Sequence, residues 1–275
     1  MWLRDSANQL QSYKPQLVDE NNSTVDSIAT LYRGAINLQG RYIRQFPYCN
    51  SFQPPPESGT PPTLNKRTSQ RPHLGKRSDG DVVTPKYDPK VVFECKYELD
   101  SLAAFLQLSW DYYEQTQDAD FFAKFSWADT IKTIMQTAND MSKGTYADDG
   151  TVNQSPYTWR RQSDRATETL ANDGAGEPVS GGIGLVRSAF RPSDDSCTFQ
   201  YLIPSNMMFS RYLSACADIM QPIDNDLASS MKDMASGIKQ GIEDHAVVDH
   251  PTFGKVYAYE IDGFGSFNLM VKSMQ

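Results

Sequence analysis

Apolar residues recur at every third and fourth position in five stretches of this chain, and each stretch predicts an amphipathic helix. From Ser27 to Arg44 the stripe is Ile28, Leu31, Tyr32, Ala35, Leu38 and Tyr42, and it ends before Pro47. A second runs through Leu99, Leu102, Ala103, Leu106, Trp110 and Tyr113, with Asp100 and Ser101 in a first turn where a carboxylate suits the helix dipole. The third is expected from Phe121 to Met141 through Phe125, Ala128, Ile131, Ile134, Met135, Ala138 and Met141, with Gly144 as its stop. A fourth from Asn206 to Met220 precedes Pro222, and a fifth from Asn225 to Glu243 uses Leu227, Met231, Met234, Ile238 and Ile242. Strand signals are short: Val91 to Phe93, Tyr157 to Trp159, Phe199 to Ile203 and Val256 to Tyr259 read as hairpin pieces rather than a central sheet. The plan is mainly α.

Between the first two stripes, residues 54–90 are rich in Pro, Gly, Ser, Lys and Arg with few large apolar side chains. Such a stretch buries too little surface to offset its ordering entropy, so a disordered insert is expected there. Its basic residues, Lys66, Arg67, Arg71, Lys76 and Arg77, read as a solvated loop, because a net charge of -8 and a pI near 4.9 argue against binding a phosphate backbone. No nucleic-acid partner is expected. Without a run of 18 apolar residues no membrane span is expected either, and the start lacks the basic and apolar regions of a secretory signal. Cys49, Cys95, Cys197 and Cys216 show no CxxC spacing, so buried free thiols are the default. His73, His245 and His250 are too few and wrongly spaced for a metal site, and a structural or solvent-facing role is expected for the last two. Asn21-Asn22-Ser23 and Asn22-Ser23-Thr24 match a glycosylation pattern that is frequent by chance.

The richest local chemistry is Phe190-Arg191-Pro192-Ser193-Asp194-Asp195, which sets two adjacent carboxylates beside a guanidinium, a hydroxyl and a proline ring. Alone, such a run commonly caps a helix or closes a turn. Gly181-Gly182-Ile183-Gly184 just before it has no preceding strand and no GK[ST] after it, so it reads as loop punctuation and not a phosphate loop.

Six blocks taken together point further: Met1-Trp2-Leu3-Arg4-Asp5-Ser6, Arg44 to Phe52, Glu94 to Leu102, Ala189 to Asp195, Tyr201 to Met207, and Tyr257 to Gly265. In content and order they resemble glycoside hydrolase family 125, the metal-independent exo-acting α-1,6-mannosidases, and the fungal branch in particular. The resemblance implies an (α/α)6 barrel in which two concentric rings of helices carry a loop-built pocket at one end; the five stripes agree with half of one. It also implies an α-mannoside oligosaccharide or mannan as substrate, no metal and no cofactor, and an inverting mechanism in which a carboxylic acid protonates the leaving oxygen while an opposed carboxylate activates water.

On this resemblance the general acid lies at Asp194 or Asp195. Adjacent carboxylates and burial raise proton affinity, so one Asp is expected to be held ionised by Arg191 while the other carries the proton. Arg4, Asp5, Gln9, Arg191, Glu260 and Asp262 are candidates for binding the sugar. Arg4 with Asp5 equally fits a buried ion pair, Glu98 and Asp100 favour capping the helix they open, and Glu260 with Asp262 equally fit a turn. Trp2 and Tyr259 are stacking platforms or core. The family's base lies well beyond the block ending at Gly265, and its first helix precedes Met1, so the chain reads as a single partial domain over 1–275, truncated at both ends. An inert or merely mannoside-binding fragment is therefore the alternative, with apolar faces left open to solvent.

Overall fold

A computed structural model describes residues 1–17, 27–63 and 81–269. The glycosylation patterns at Asn21 and Asn22, the basic cluster from Lys66 to Arg77, His73 and the last residues from Met270 lie outside the described residues. Eight helices occur among the described residues: α1 (Leu3–Gln11), α2 (Ile28–Gln45), α3 (Leu99–Thr116), α4 (Ala119–Lys124), α5 (Trp127–Met141), the single turn α6 (Ala171–Gly174), α7 (Ile203–Met220) and α8 (Asn225–His245).

Side-chain chemistry sets several of their starts. Ser27 accepts the amide of Thr30 to open α2, Asp118 that of Phe121 to open α4, and Asp224 that of Leu227 to open α8. Burial then sorts the helices into two kinds. α3 and α7 are buried around most of their circumference, whereas α2, α5 and α8 each bury one stripe and wet the other face. The fully buried helices are inner and the one-sided ones outer, as the double ring implies. α1 buries one stripe and packs mainly against α3. It runs parallel to α3, since Arg4 meets Glu98 and Asp100 at one end and Lys14, just past α1, meets Asp111 at the other. α2 runs the opposite way, with the Tyr32 hydroxyl donating to the Leu10 carbonyl and Gln39 to that of Leu3.

Two departures from the predicted helices have physical causes. α1 buries only Leu3, Ala7 and Leu10, a stripe too short to be marked by periodicity. The third stripe is two helices, broken where Phe125 takes an extended backbone and stays half exposed. The break lets Phe122 and Trp127 meet edge to face at 4.8 Å while the Trp127 indole donates to Ser109.

The strands are short pairs: β1 (Ser51–Phe52) with β3 (Val92–Glu94), β2 (Val82–Thr84) with β4 (Thr158–Arg160), β5 (Tyr201–Leu202) with β8 (Glu260–Ile261) and then β9 (Phe267–Asn268), and the hairpin β6 (Val247–His250) with β7 (Gly254–Tyr257). Order thus extends into both ends of the stretch expected to be disordered. Gln53 exchanges two hydrogen bonds with the backbone of Thr63, β2 pairs residue for residue with β4, and Asp81 holds Arg161 through both oxygens. Composition missed this because the partners come from outside the insert. Two cysteines also depart from the default: Cys49 and Cys95 form a disulfide, while Cys197 and Cys216 are buried free thiols.

The glycine-rich loop before the acidic run closes on α8 at Gly184 and Ile183. A Cβ on Gly241 would meet the carbonyl oxygen of Ile183, and one on Gly184, at φ 79°, would lie 2.6 Å from the carbonyl oxygen of Gly237. Gly237 itself has nothing within 4 Å of a Cβ on its own position. Gly241→Ala is therefore expected to destabilise by about 1–3 kcal/mol through overpacking. Gly237→Ala, one turn away, is expected to be neutral or to stabilise by up to about 1 kcal/mol from helix propensity. Urea midpoints of the two variants check this, and equal effects would contradict the close-approach argument.

Candidate active site

The amino ends of α1, α3 and α7 converge on the segment from Val186 to Asp195. The Leu99 amide donates to the Ser188 hydroxyl, Asn206 in the first turn of α7 exchanges hydrogen bonds with Val186, and the amides of Ala189 and Phe190 both reach the Tyr97 carbonyl. The run with adjacent carboxylates is a tight hairpin. Arg191 N donates to Asp195 O at 2.8 Å and Asp194 N to Arg191 O at 2.9 Å, a turn that puts Asp194 at φ 68°, a backbone region where non-glycine residues are scarce and strain is functionally suggestive. Asp194 is exposed and Asp195 half-buried, with the Ser193 hydroxyl 3.2 Å from Asp195 Oδ2.

Arg191 does not hold either aspartate. Its guanidinium grips Glu260 with two bonds, Nε to Oε1 at 2.6 Å and Nη2 to Oε2 at 2.9 Å, and lies over the Tyr259 ring. The β5–β8 pairing brings Glu260 there, and Glu260 Oε2 also accepts from the amides of Thr198 and Phe199 and from the Asn268 side chain. With both partners buried and these donors and acceptors engaged, this pair braces the base of the hairpin. Asp262 likewise serves its own turn, with Oδ1 accepting from the amides of Phe264 and Ser266.

The group that does reach Asp194 is Lys96. Its ammonium, on a side chain only 4% exposed, lies 3.0 Å from Asp194 O and 3.3 Å from Asp194 Oδ1, above the Phe190 ring. Lys96 N in turn donates to Asn50 Oδ1, and the neighbouring Cys49–Cys95 disulfide ties the two segments together.

Arg4 sits at the centre of a second cluster. Nη1 lies 2.9 Å from Glu98 Oε2 and 2.8 Å from Asp100 Oδ2, while Nη2 donates to the Pro192 carbonyl of the hairpin at 3.0 Å. Asp5 is 3.7 Å away and mostly exposed, so the Arg4–Asp5 pair is the weaker one. Gln9 is exposed on α1. Glu98 and Asp100 do not cap α3. Glu98 occupies the cap position without bonding an α3 amide, because both carboxylates turn to the guanidinium instead. Burial, and then the charge of Asp100, push Glu98 up to about 8 despite Arg4; burial also raises Asp100. Glu94, deep beside Lys96, is raised by burial as well.

Lys96, beside the hairpin, is not singled out by the motifs, and Glu98 and Asp100 face Arg4 rather than cap α3. Glu94, Lys96 and Glu98 alternate in an extended segment, so they share one face, and charged side chains on one face of a strand leading into a buried helix are the signal that was available. Trp2 meets Phe93 edge to face at 5.4 Å, and Tyr259 lies under Arg191, so both rings are engaged within the fold.

Comparison with known proteins follows the same lines. A family model described as metal-independent alpha-mannosidase (GH125) matches residues 1–273. The meiotically up-regulated gene 157 protein of Schizosaccharomyces pombe is 43% identical over 98% of this chain, which covers 50% of that protein. A solved metal-independent alpha-mannosidase from Streptococcus pneumoniae, in a non-productive complex with alpha-1,6-mannobiose, superposes with a TM-score of 0.75 at 27% identity, over 98% of this chain and 56% of its own. The chain thus spans about half the length of these relatives.

The buried carboxylates make stability depend on pH in a defined sense. A folded Glu98 near 8 against an ordinary 4.5 means the folded state keeps a proton that the unfolded chain releases. Its contribution is greatest below about 4.5, declines as pH rises to about 8 and is level above that. Urea midpoints across this range should fall with pH in the wild-type chain and fall less steeply in Glu98→Gln. An unchanged slope would remove Glu98 from the account.

Proposed function

Because this chain belongs to the GH125 family of metal-independent alpha-mannosidases, we propose that its hairpin site serves an inverting glycoside hydrolase that releases terminal mannose from α-1,6-mannosides. The observation that carries the reading is the hairpin itself. Two adjacent carboxylates are presented on a strained turn, braced below by Arg191–Glu260 and at the side by Lys96 and Arg4, and the inner helices converge on the segment leading into it. A general acid needs a fixed position and a proton, and a rigid hairpin supplies the first. Asp194 or Asp195 is that acid. The mannobiose carried by the pneumococcal relative supports an α-mannoside as substrate.

In the inverting scheme the acid faces a base roughly 6.5–9.5 Å away, with water between them. Glu260 does not suit that role, because both its oxygens are engaged. On the family resemblance the base lies well beyond the block ending at Gly265, and no described carboxylate is assigned to it. Among the sugar-binding candidates, Asp5 and Gln9 remain exposed on α1, one turn apart, and so retain groups for sugar hydroxyls. Arg4, Arg191, Glu260 and Asp262 act by holding the site together.

The engagement of Glu260 favours a second reading, in which the 275 residues bind a mannoside without cleaving it. The two readings separate in one experiment. Mannose release from α-1,6-mannobiose is measured with chelator present, alongside binding of the same sugar. Turnover that resists chelator, and that falls on the order of 100- to 10,000-fold in only one of Asp194→Asn and Asp195→Asn, is expected of the hydrolase. Equal, mild losses would refute the acid assignment, and binding without turnover would establish the second reading.

A further inference from the structure

We propose that Glu98 and Asp100 share a single proton at neutral pH and that, through Arg4, this pair positions the hairpin carrying Asp194 and Asp195. The geometry begins with one nitrogen. Arg4 Nη1 is bonded at once to Glu98 Oε2 and Asp100 Oδ2, so one guanidinium faces two carboxyl groups whose side chains are 0% and 5% exposed. Two full negative charges there would leave one uncompensated, at a cost of several kcal/mol in a dry site. The remaining oxygens identify where a proton belongs. Glu98 Oε1 and Asp100 Oδ1 are both buried and both lack a hydrogen-bond partner. One proton held by the pair lets one of these carboxyls act as a donor and leaves one net negative charge against one positive.

The surroundings agree. The groups acting on the pair are Arg4 and Asp5 from α1, Asp194 from the hairpin, Asn50 and Ser101 beside Glu98, and Tyr97, Tyr157, Tyr259 and Cys197 around them. Arg4 is the cation that bonds to both carboxylates, and Asp100 is the negative charge that acts most strongly on Glu98 and favours its neutral form. With Nη1 committed to the pair, Nη2 is left pointing at the Pro192 carbonyl, two residues before Asp194. Arg4 is thus a positioning residue, tying α1 and α3 to the hairpin.

The proton sharing stands on its own geometry, and the positioning role rests on the reading of Asp194 or Asp195 as the acid. Infrared difference spectra of the 275-residue chain at pH 7, wild type minus Glu98→Gln, should contain the C=O stretch of a protonated carboxyl. In wild type alone, that band should be lost as pH rises past about 8. A difference spectrum without the band, as two ionised carboxylates bridged by water would give, overturns the sharing. For positioning, hydrogen exchange of the Arg191 and Asp194 amides should quicken on the order of tenfold in Arg4→Met, the expected loss of one charge-assisted bond, with partial recovery in Arg4→Lys and no change in α8. Unchanged hairpin exchange, or equal quickening throughout the chain, overturns it. Neither readout uses turnover, so a lack of mannose release would count against the hydrolase reading alone.

Discussion

Helix α3 is buried along nearly its whole length and bears carboxylates at both ends, and the neighbouring elements are arranged by the need to meet those charges away from water. An unpaired buried carboxylate costs several kcal/mol, comparable to the net stability of a domain. α1 answers at both ends, with Arg4 against Glu98 and Asp100 and Lys14 against Asp111. That double match fixes the direction and the register of α1 on α3. It also fixes what lies beyond, since Arg4 reaches the Pro192 carbonyl and Lys96, on the segment leading into α3, reaches Asp194.

The chemistry of the site follows from this division of labour. The polar groups nearest the hairpin are occupied with holding it: Arg191 with Glu260, Arg4 with the carboxylate pair, Lys96 with the backbone of Asp194. What is left exposed is the hairpin tip and the outer face of α1. A scaffold that spends its charged side chains on rigidity presents few groups to a ligand, but presents them in a fixed place.

Much of the architecture was legible because long helices announce themselves. The stripes at Leu99 to Tyr113 and Leu227 to Ile242 largely bury the faces their spacing predicts, whereas α2 turns a neighbouring face inward, burying Ala29, Tyr32, Ile36, Tyr42 and Ile43 and leaving Leu31 of the predicted stripe exposed. The short elements were harder. β2 has no core of its own and orders by pairing with β4, and α1 exists because α3 gives Leu3, Ala7 and Leu10 a surface to cover. The break at Phe125 was invisible for a related reason: a stripe of apolar residues continues through it, and the ring contact between Phe122 and Trp127 that accompanies the break is a tertiary one.

The sequence by itself determined the class of fold, the order of the long helices, the family and the hairpin as the place of interest, because periodicity and motif order are properties of the chain read along its length. Only the tertiary structure decided how charges pair. Arg191 sits three residues from Asp194 yet belongs to Glu260, and Glu98 and Asp100, placed to cap a helix, belong to Arg4. The reason is physical: a charged group removed from water takes the partner that folding brings within about 3 Å, and nearness along the chain carries little weight beside that.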